Sequence, residues 1–163
     1  CVGINPHGFG FIDLTTGEVI RTLDMEVAVK YLSMEIPFIA HCRFATVGEV
    51  AVDNVHPFQS PCGGFLLFQN GTVAGLNTTG DESDSRVLCD MLSLVKKRQR
   101  KQFLENMVSR FLLFDEHGEV HRTGEWFKHD GVWYSKDNVL PFDFLPPEEG
   151  HMVAVYGTQV RLL

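Results

Sequence analysis

The sequence predicts an α+β fold built as one domain over residues 1–163. Short apolar runs bounded by turn residues recur along the chain and read as strands, while two or three stretches switch to helical spacing. No repeat, low-complexity segment or linker divides the 163 residues, a length that suits one hydrophobic core. The composition, 44% hydrophobic and 21% charged, is that of a folded chain and not of a disordered tail.

The elements follow in order. Phe9–Leu14 and Glu18–Thr22 flank Thr15-Thr16-Gly17, where a glycine after polar residues marks the reversal of a β-hairpin. Met25–Met34 sets Met25, Val29 and Leu32 on one helical face, and Pro37 ends the segment. Phe38-Ile39-Ala40 is a brief strand that runs into His41, Cys42 and Arg43, and a strand ending in arginine is a place to look for a site. Gly63–Phe68 reads as a buried strand, followed by a Gln69-Asn70-Gly71 turn into Thr72–Leu76. Ser83 can cap a helix with Asp84 in its first turn and Val87, Leu88, Met91, Leu92 and Val95 as its apolar stripe. The basic run Lys96–Lys101 is expected late in that helix or in the next turn, where cations suit the helix dipole. Phe103–Val108 reads as a further short helix. Strands are expected at Arg110–Phe114, Val120–Thr123, Gly131–Ser135 and Met152–Leu162, with Pro141–Gly150 as a surface loop and His129 and Asp130 in an exposed turn.

Charge and cysteine usage narrow the function classes. Fourteen basic against twenty-one acidic side chains give a net charge of −7, which argues against direct binding to nucleic acid or to anionic membranes. No run reaches the apolar length of a membrane helix and no signal segment opens the chain, so a cytoplasmic protein is expected. The four cysteines contain no C-x-x-C pair and are expected as free thiols. His41, Cys42, His56 and Cys62 are the right types for zinc, but their spacing matches no usual ligand set, so neither a metal nor another cofactor is expected.

Cys1 is the most informative residue. A chain that starts at cysteine suggests processing that leaves a nucleophile with a free α-amine, whose reference pKa of about 7.7–8.0 lets it act as base for its own thiol. The plain alternative is that Cys1 marks only a boundary.

Further motifs follow in order: Arg43–Gly48 reads RFATVG, then come Asn54 with His56-Pro57, Gln69-Asn70-Gly71 and Ser83-Asp84-Ser85. Together they resemble the class II glutamine amidotransferase domains of the N-terminal nucleophile hydrolases, which carry a terminal Cys, R-W-A-T-H-G, N-x-H-P, H-N-G and T-D-[ST]. The resemblance spans Cys1 to about Leu88, and Phe44, Val47 and Gln69 depart from it where the family has Trp, His and His. It implies a four-layer αββα sandwich of two mainly antiparallel sheets and a small stand-alone glutaminase acting on L-glutamine. Arg43 would then clamp the substrate carboxylate through its planar fork, Thr46 would add a contact nearby, and Asp84 would pair with the α-ammonium. Cys1 would attack the side-chain amide, with the oxyanion held by the Asn70 side chain and the Gly71 N–H. With no synthetase domain in view, the nitrogen would pass to a partner protein's substrate or leave as ammonia. Two other readings stand beside this one: a terminal-cysteine hydrolase of another amide, γ-glutamyl or acyl, and a non-enzymatic binding or assembly protein with the same fold.

Overall fold

A computed structural model describes residues 5–76, 78, 80–129 and 131–135, together with the backbone of 153–154. The expectations on Cys1, Asp130, Pro141–Gly150 and all of Met152–Leu162 except 153–154 fall outside these residues.

The first hairpin forms as expected. Strands β1 (Phe9–Asp13) and β2 (Val19–Thr22) pair antiparallel. The Asp13 carboxylate fixes the reversal by accepting from the Thr15 N–H and hydroxyl, both at 2.6 Å. Helix α1 (Met25–Leu32) starts at Asp24, whose side chain caps the Glu26 and Val27 N–H groups. Strand β3 (Phe38–Cys42) then pairs with β1 on the side away from β2. It runs two residues further than the apolar run alone suggests, because His41 and Cys42 are themselves buried.

The second sheet is assembled from β4 (Phe58–Gln59), β5 (Phe65–Asn70), β6 (Arg110–Asp115) and β7 (Val120–Thr123), in that order and antiparallel throughout. Strands β8 (Phe127–His129), β9 (Val132–Tyr134) and β10 (Val153–Ala154) complete the first sheet in the order β2-β1-β3-β10-β9-β8, again with antiparallel pairing. The chain is therefore mixed α+β with antiparallel sheets. His129 ends a strand and does not sit in the turn expected for it.

Alternation along four strands sorts the core into layers. Phe9 and Phe11 of β1 and Phe38, Ala40 and Cys42 of β3 pack with Ala28 of α1. Ile12 and Ile39 from those same strands meet Phe68 of β5 and Leu112 of β6, which joins the two sheets. Phe65 and Leu67 of β5 and Phe111 and Leu113 of β6 turn the other way, onto helices α2 (Asp84–Ser93) and α3 (Lys97–Glu105). Both faces of β1 and β3 are thus covered, and every residue of each is buried.

The helices carry two corrections. The buried face of α2 consists of Leu88, Cys89 and Leu92 with the polar Asp84 and Ser85, while Met91 of the expected stripe is 42% exposed. The basic run opens a new helix, α3, and does not close α2, so its cations stand at the dipole end that disfavours them. Local partners offset this. Lys97 pairs with Glu116 at 2.7 Å, and Arg100 donates to the Val95 carbonyl and lies 4.7 Å over the Phe65 ring. The separate helix expected at Phe103–Val108 is the second half of α3, which stops at Glu105.

The cysteines also differ from expectation. Cys42 is disulfide-bonded, whereas Cys62 and Cys89 are free. Of the four residues of zinc-ligand type, Cys42 therefore carries no thiolate here, and Cys62 is exposed. Among the described residues no helix is long and apolar enough to cross a membrane.

Candidate functional site

Arg43 leaves the end of β3 with its backbone still paired, donating to Gly8 O at 2.7 Å and accepting from His7 N at 3.0 Å. Its side chain turns inward and is only 4% exposed. The guanidinium donates to the Val47 carbonyl at 2.9 Å and the Glu49 carbonyl at 3.0 Å, which folds the RFATVG segment around it. Burial lowers the Arg43 pKa from its ordinary value, and the Asp84 carboxylate opposes that shift.

Asp84 reaches the same place from the start of α2. Ser83 caps this helix by accepting from Arg86 N. The Asp84 carboxylate accepts from Val73 N at 2.7 Å and Ser85 N at 2.8 Å, so it is fixed in orientation. Asn54 ties the two segments together: its amide donates to the Glu49 and Asp81 carbonyls, and its oxygen accepts from Ser83 N at 2.8 Å. The motif asparagine is therefore the brace between the arginine loop and the helix start.

Asn70 ends β5, and its side-chain amide donates to Ser135 Oγ at 2.7 Å, leaving a second N–H on the same nitrogen. Gly71 follows with φ +121°, in the left-handed region, and a Cβ there would come within 2.7 Å of Ser109 Oγ. Only glycine makes this turn without strain. Gln69 secures the turn from behind. Its amide nitrogen donates to the Gly71 carbonyl at 2.9 Å, and its oxygen accepts from Ser85 Oγ at 2.5 Å. Gln69 thus couples the Asn-Gly turn to the helix that carries Asp84.

Arg43, Thr46, Asn70, Gly71 and Asp84 line one cavity of about 170 Å³. Its wall also contains Asn5, His41, His56 and Gln69. Five of the six residues singled out from the sequence thus meet, although they come from separate segments; the sixth, Cys1, lies outside the described residues. No family model matches the chain, and no curated protein matches it.

Sequence reasoning gave no role to the two histidines. His41 is 6% and His56 4% exposed, with ring centroids 4.1 Å apart. Burial, with the Arg43 charge, pushes His41 down to about 3; burial, His41 and Arg43 push His56 well below the usual imidazole value. Both rings are neutral at neutral pH. The His-Pro dipeptide was visible, but its meeting with His41, fifteen residues earlier, depends on how the sheets pack.

A second cavity, of about 290 Å³, lies between α3 and the β6–β7 hairpin. It holds the cluster Asp115, Glu119 and His121, the metal-like grouping found among the described residues. The carboxylate there already has neighbours: His121 Nε2 is 3.4 Å from Asp115, and the Lys97 ammonium is 4.0 Å from the same carboxylate oxygen. The smaller cavity, with a buried Arg and a buried Asp facing one space, is the candidate site.

Proposed function

We propose that the chain is a glutaminase of the class II glutamine amidotransferase type, with Cys1 as nucleophile and L-glutamine as substrate. The observation that carries this reading is the convergence of Arg43, Asp84, Asn70 and Gly71 on one small cavity. Opposite charges set in one space suit the carboxylate and ammonium of a free amino acid. A volume of about 170 Å³ lies below the ~300–1,000 Å³ of sites for drug-sized ligands, which favours an amino acid over a long acyl amide or a peptide. The two helix-covered sheets suit the αββα arrangement of the N-terminal nucleophile hydrolases.

In this reading Arg43 takes the α-carboxylate and Asp84 the α-ammonium. The Cys1 thiol adds to the side-chain amide carbon while its own α-amine accepts the proton. The oxyanion is held by the free N–H of Asn70 and by the Gly71 N–H. The C–N bond then breaks, ammonia departs with the proton from the α-amine, and water hydrolyses the γ-glutamyl thioester to glutamate. Transfer of the ammonia to a partner protein's substrate is the amidotransferase extension of the same chemistry.

The test is glutamate release from L-glutamine with and without a thiol reductant, for the wild type, Cys1→Ala and Arg43→Ala. Release by the wild type in reductant, lost in both variants, is the expected result. The reductant matters because Cys42 is disulfide-bonded and a thiol nucleophile acts only when reduced. A reduced, folded wild type that neither releases glutamate nor forms a Cys1 adduct with a glutamine-analogue electrophile overturns the reading in favour of a binding protein.

A further inference from the structure

Asn70 reaches the candidate cavity as the last residue of β5, and alternation along that strand decides which way it points. Phe68, two residues earlier, packs between the two sheets with Ile12, Ile39 and Leu112, so Asn70 turns towards the first sheet as well. Gln69 takes the opposite face and meets Ser85 of α2. The first sheet answers Asn70 with Ser135, the residue after β9: Asn70 Nδ2 donates to Ser135 Oγ at 2.7 Å, a bond that joins the two sheets. Ser135 is 0% exposed and does not itself line the cavity, so its route to the cavity is the Asn70 amide.

A primary amide needs such a partner more than most side chains do. Its last torsion is broad and nearly two-fold, and a half-turn exchanges two N–H donors for a carbonyl acceptor. A hydrogen bond from Nδ2 to a fully buried hydroxyl removes that freedom, and the planar nitrogen then fixes the direction of its second N–H. The backbone of the turn is secured separately. The Asn70 carbonyl accepts from Ser109 Oγ at 3.0 Å, and the Gly71 carbonyl accepts from Gln69 at 2.9 Å. Ser135 therefore governs the Asn70 side chain and leaves the path of the main chain to others.

We infer that Ser135 is a positioning residue for the oxyanion donor, its buried hydroxyl keeping the Asn70 amide in the orientation that offers an N–H to the developing charge; this rests on the glutaminase reading above. Such a donor is effective because it needs no reorganisation at the moment of reaction. An amide free to turn presents its carbonyl oxygen part of the time, and that oxygen repels the oxyanion. Loss of the Ser135 hydroxyl thus weakens the transition state and leaves the groups that hold the substrate head, Arg43 and Asp84, untouched.

A double-mutant cycle on glutamate release tests this. Reduced wild type, Ser135→Ala, Asn70→Ala and the double variant are compared in kcat and KM for L-glutamine. Ser135→Ala is expected to lower kcat about tenfold with KM unchanged. In the Asn70→Ala background the same change is expected to lower kcat no further, since the amide it positions is gone. A serine that matters only for packing lowers kcat by one factor in both backgrounds; that result overturns the proposal, as does a wild-type kcat in Ser135→Ala. Should Ser135→Ala fail to fold, Ser135→Thr and Ser135→Val, alike in shape and different by the hydroxyl, carry the same comparison, and equal kcat values in the two overturn it. In each of these cases glutaminase activity in the wild type leaves the reading of the site standing. A reduced, folded wild type that releases no glutamate overturns that reading, and the role of Ser135 with it.

Discussion

Arg43 does two jobs with one planar group: it holds the Val47 and Glu49 carbonyls and it lines the cavity. A lysine is a point charge and cannot hold that fork. Arg43→Lys is therefore expected to lower kcat/KM for glutamine by about 10- to 100-fold, the scale of one or two kcal/mol in hydrogen bonds to a charged group. Asn70→Ala is expected to act differently, lowering kcat by about 10²–10³ with little change in KM, because its N–H would serve the transition state. Steady-state kinetics on the two variants separates these outcomes. At this scale Arg43, Thr46, Asn70, Gly71 and Asp84 were legible as candidates that share a cavity, since each sits in a short local motif. Gln69 and Asn54 were seen only as motif letters. Their contacts reach Ser85 and Ser109 from the one, and Asp81 and Ser83 from the other, and no local pattern announces those distances.

Among the elements, α2 links stability to the site most directly, because the residue that caps it precedes the residue that faces the cavity. Ser83→Ala is expected to cost about 1 kcal/mol of unfolding free energy by loss of the cap. It should also raise KM as Asp84 loses its fixed position. Denaturant titration and kinetics on one preparation check both. The sequence made α1, the first hairpin and the β6–β7 pair readable, because turn residues and spacing agree there. Strand β4 has only two residues and gives no period to read. Helix α3 was misplaced because its first six residues are all polar; its inward residue Leu104 comes at the end, so the apolar signal began too late.

For the whole molecule, the buried histidines set the acid limit of stability. Their folded pKa values lie below the unfolded value of about 6.5, so the unfolded chain binds more protons below that pH and stability falls on acidification. The sign is fixed: this contribution is complete above pH 6.5 and is lost as the pH falls towards about 3 for His41. At pH 5 His41 alone accounts for about 2 kcal/mol. The buried carboxylates enter later. Burial raises the pKa of Asp13 and Asp115, but hydrogen bonds from Thr15 and Thr16, and from the Glu119 and His117 backbones, outweigh it and hold both below the usual value. Their contribution is present above about pH 4 and is lost below it. Unfolding free energies at pH 7.5, 6 and 5 should therefore decline before any carboxylate titrates, and His41→Gln should flatten the slope.

Strands buried on both faces have a further consequence. In a sheet with one wet face, a slip of one residue is punished because apolar side chains move into water. In β1 and β3 such a slip exchanges one greasy layer for another, so hydrophobicity gives little protection against misregistered pairing. The protection comes instead from the residues that do not fit both sides. Gly10 lies where any larger side chain would strike the His56 carbonyl, and a slipped β3 would drive His41 and Arg43 into the apolar cluster under α1. The same side chains that furnish the cavity thus proofread the alignment of the strands that carry it.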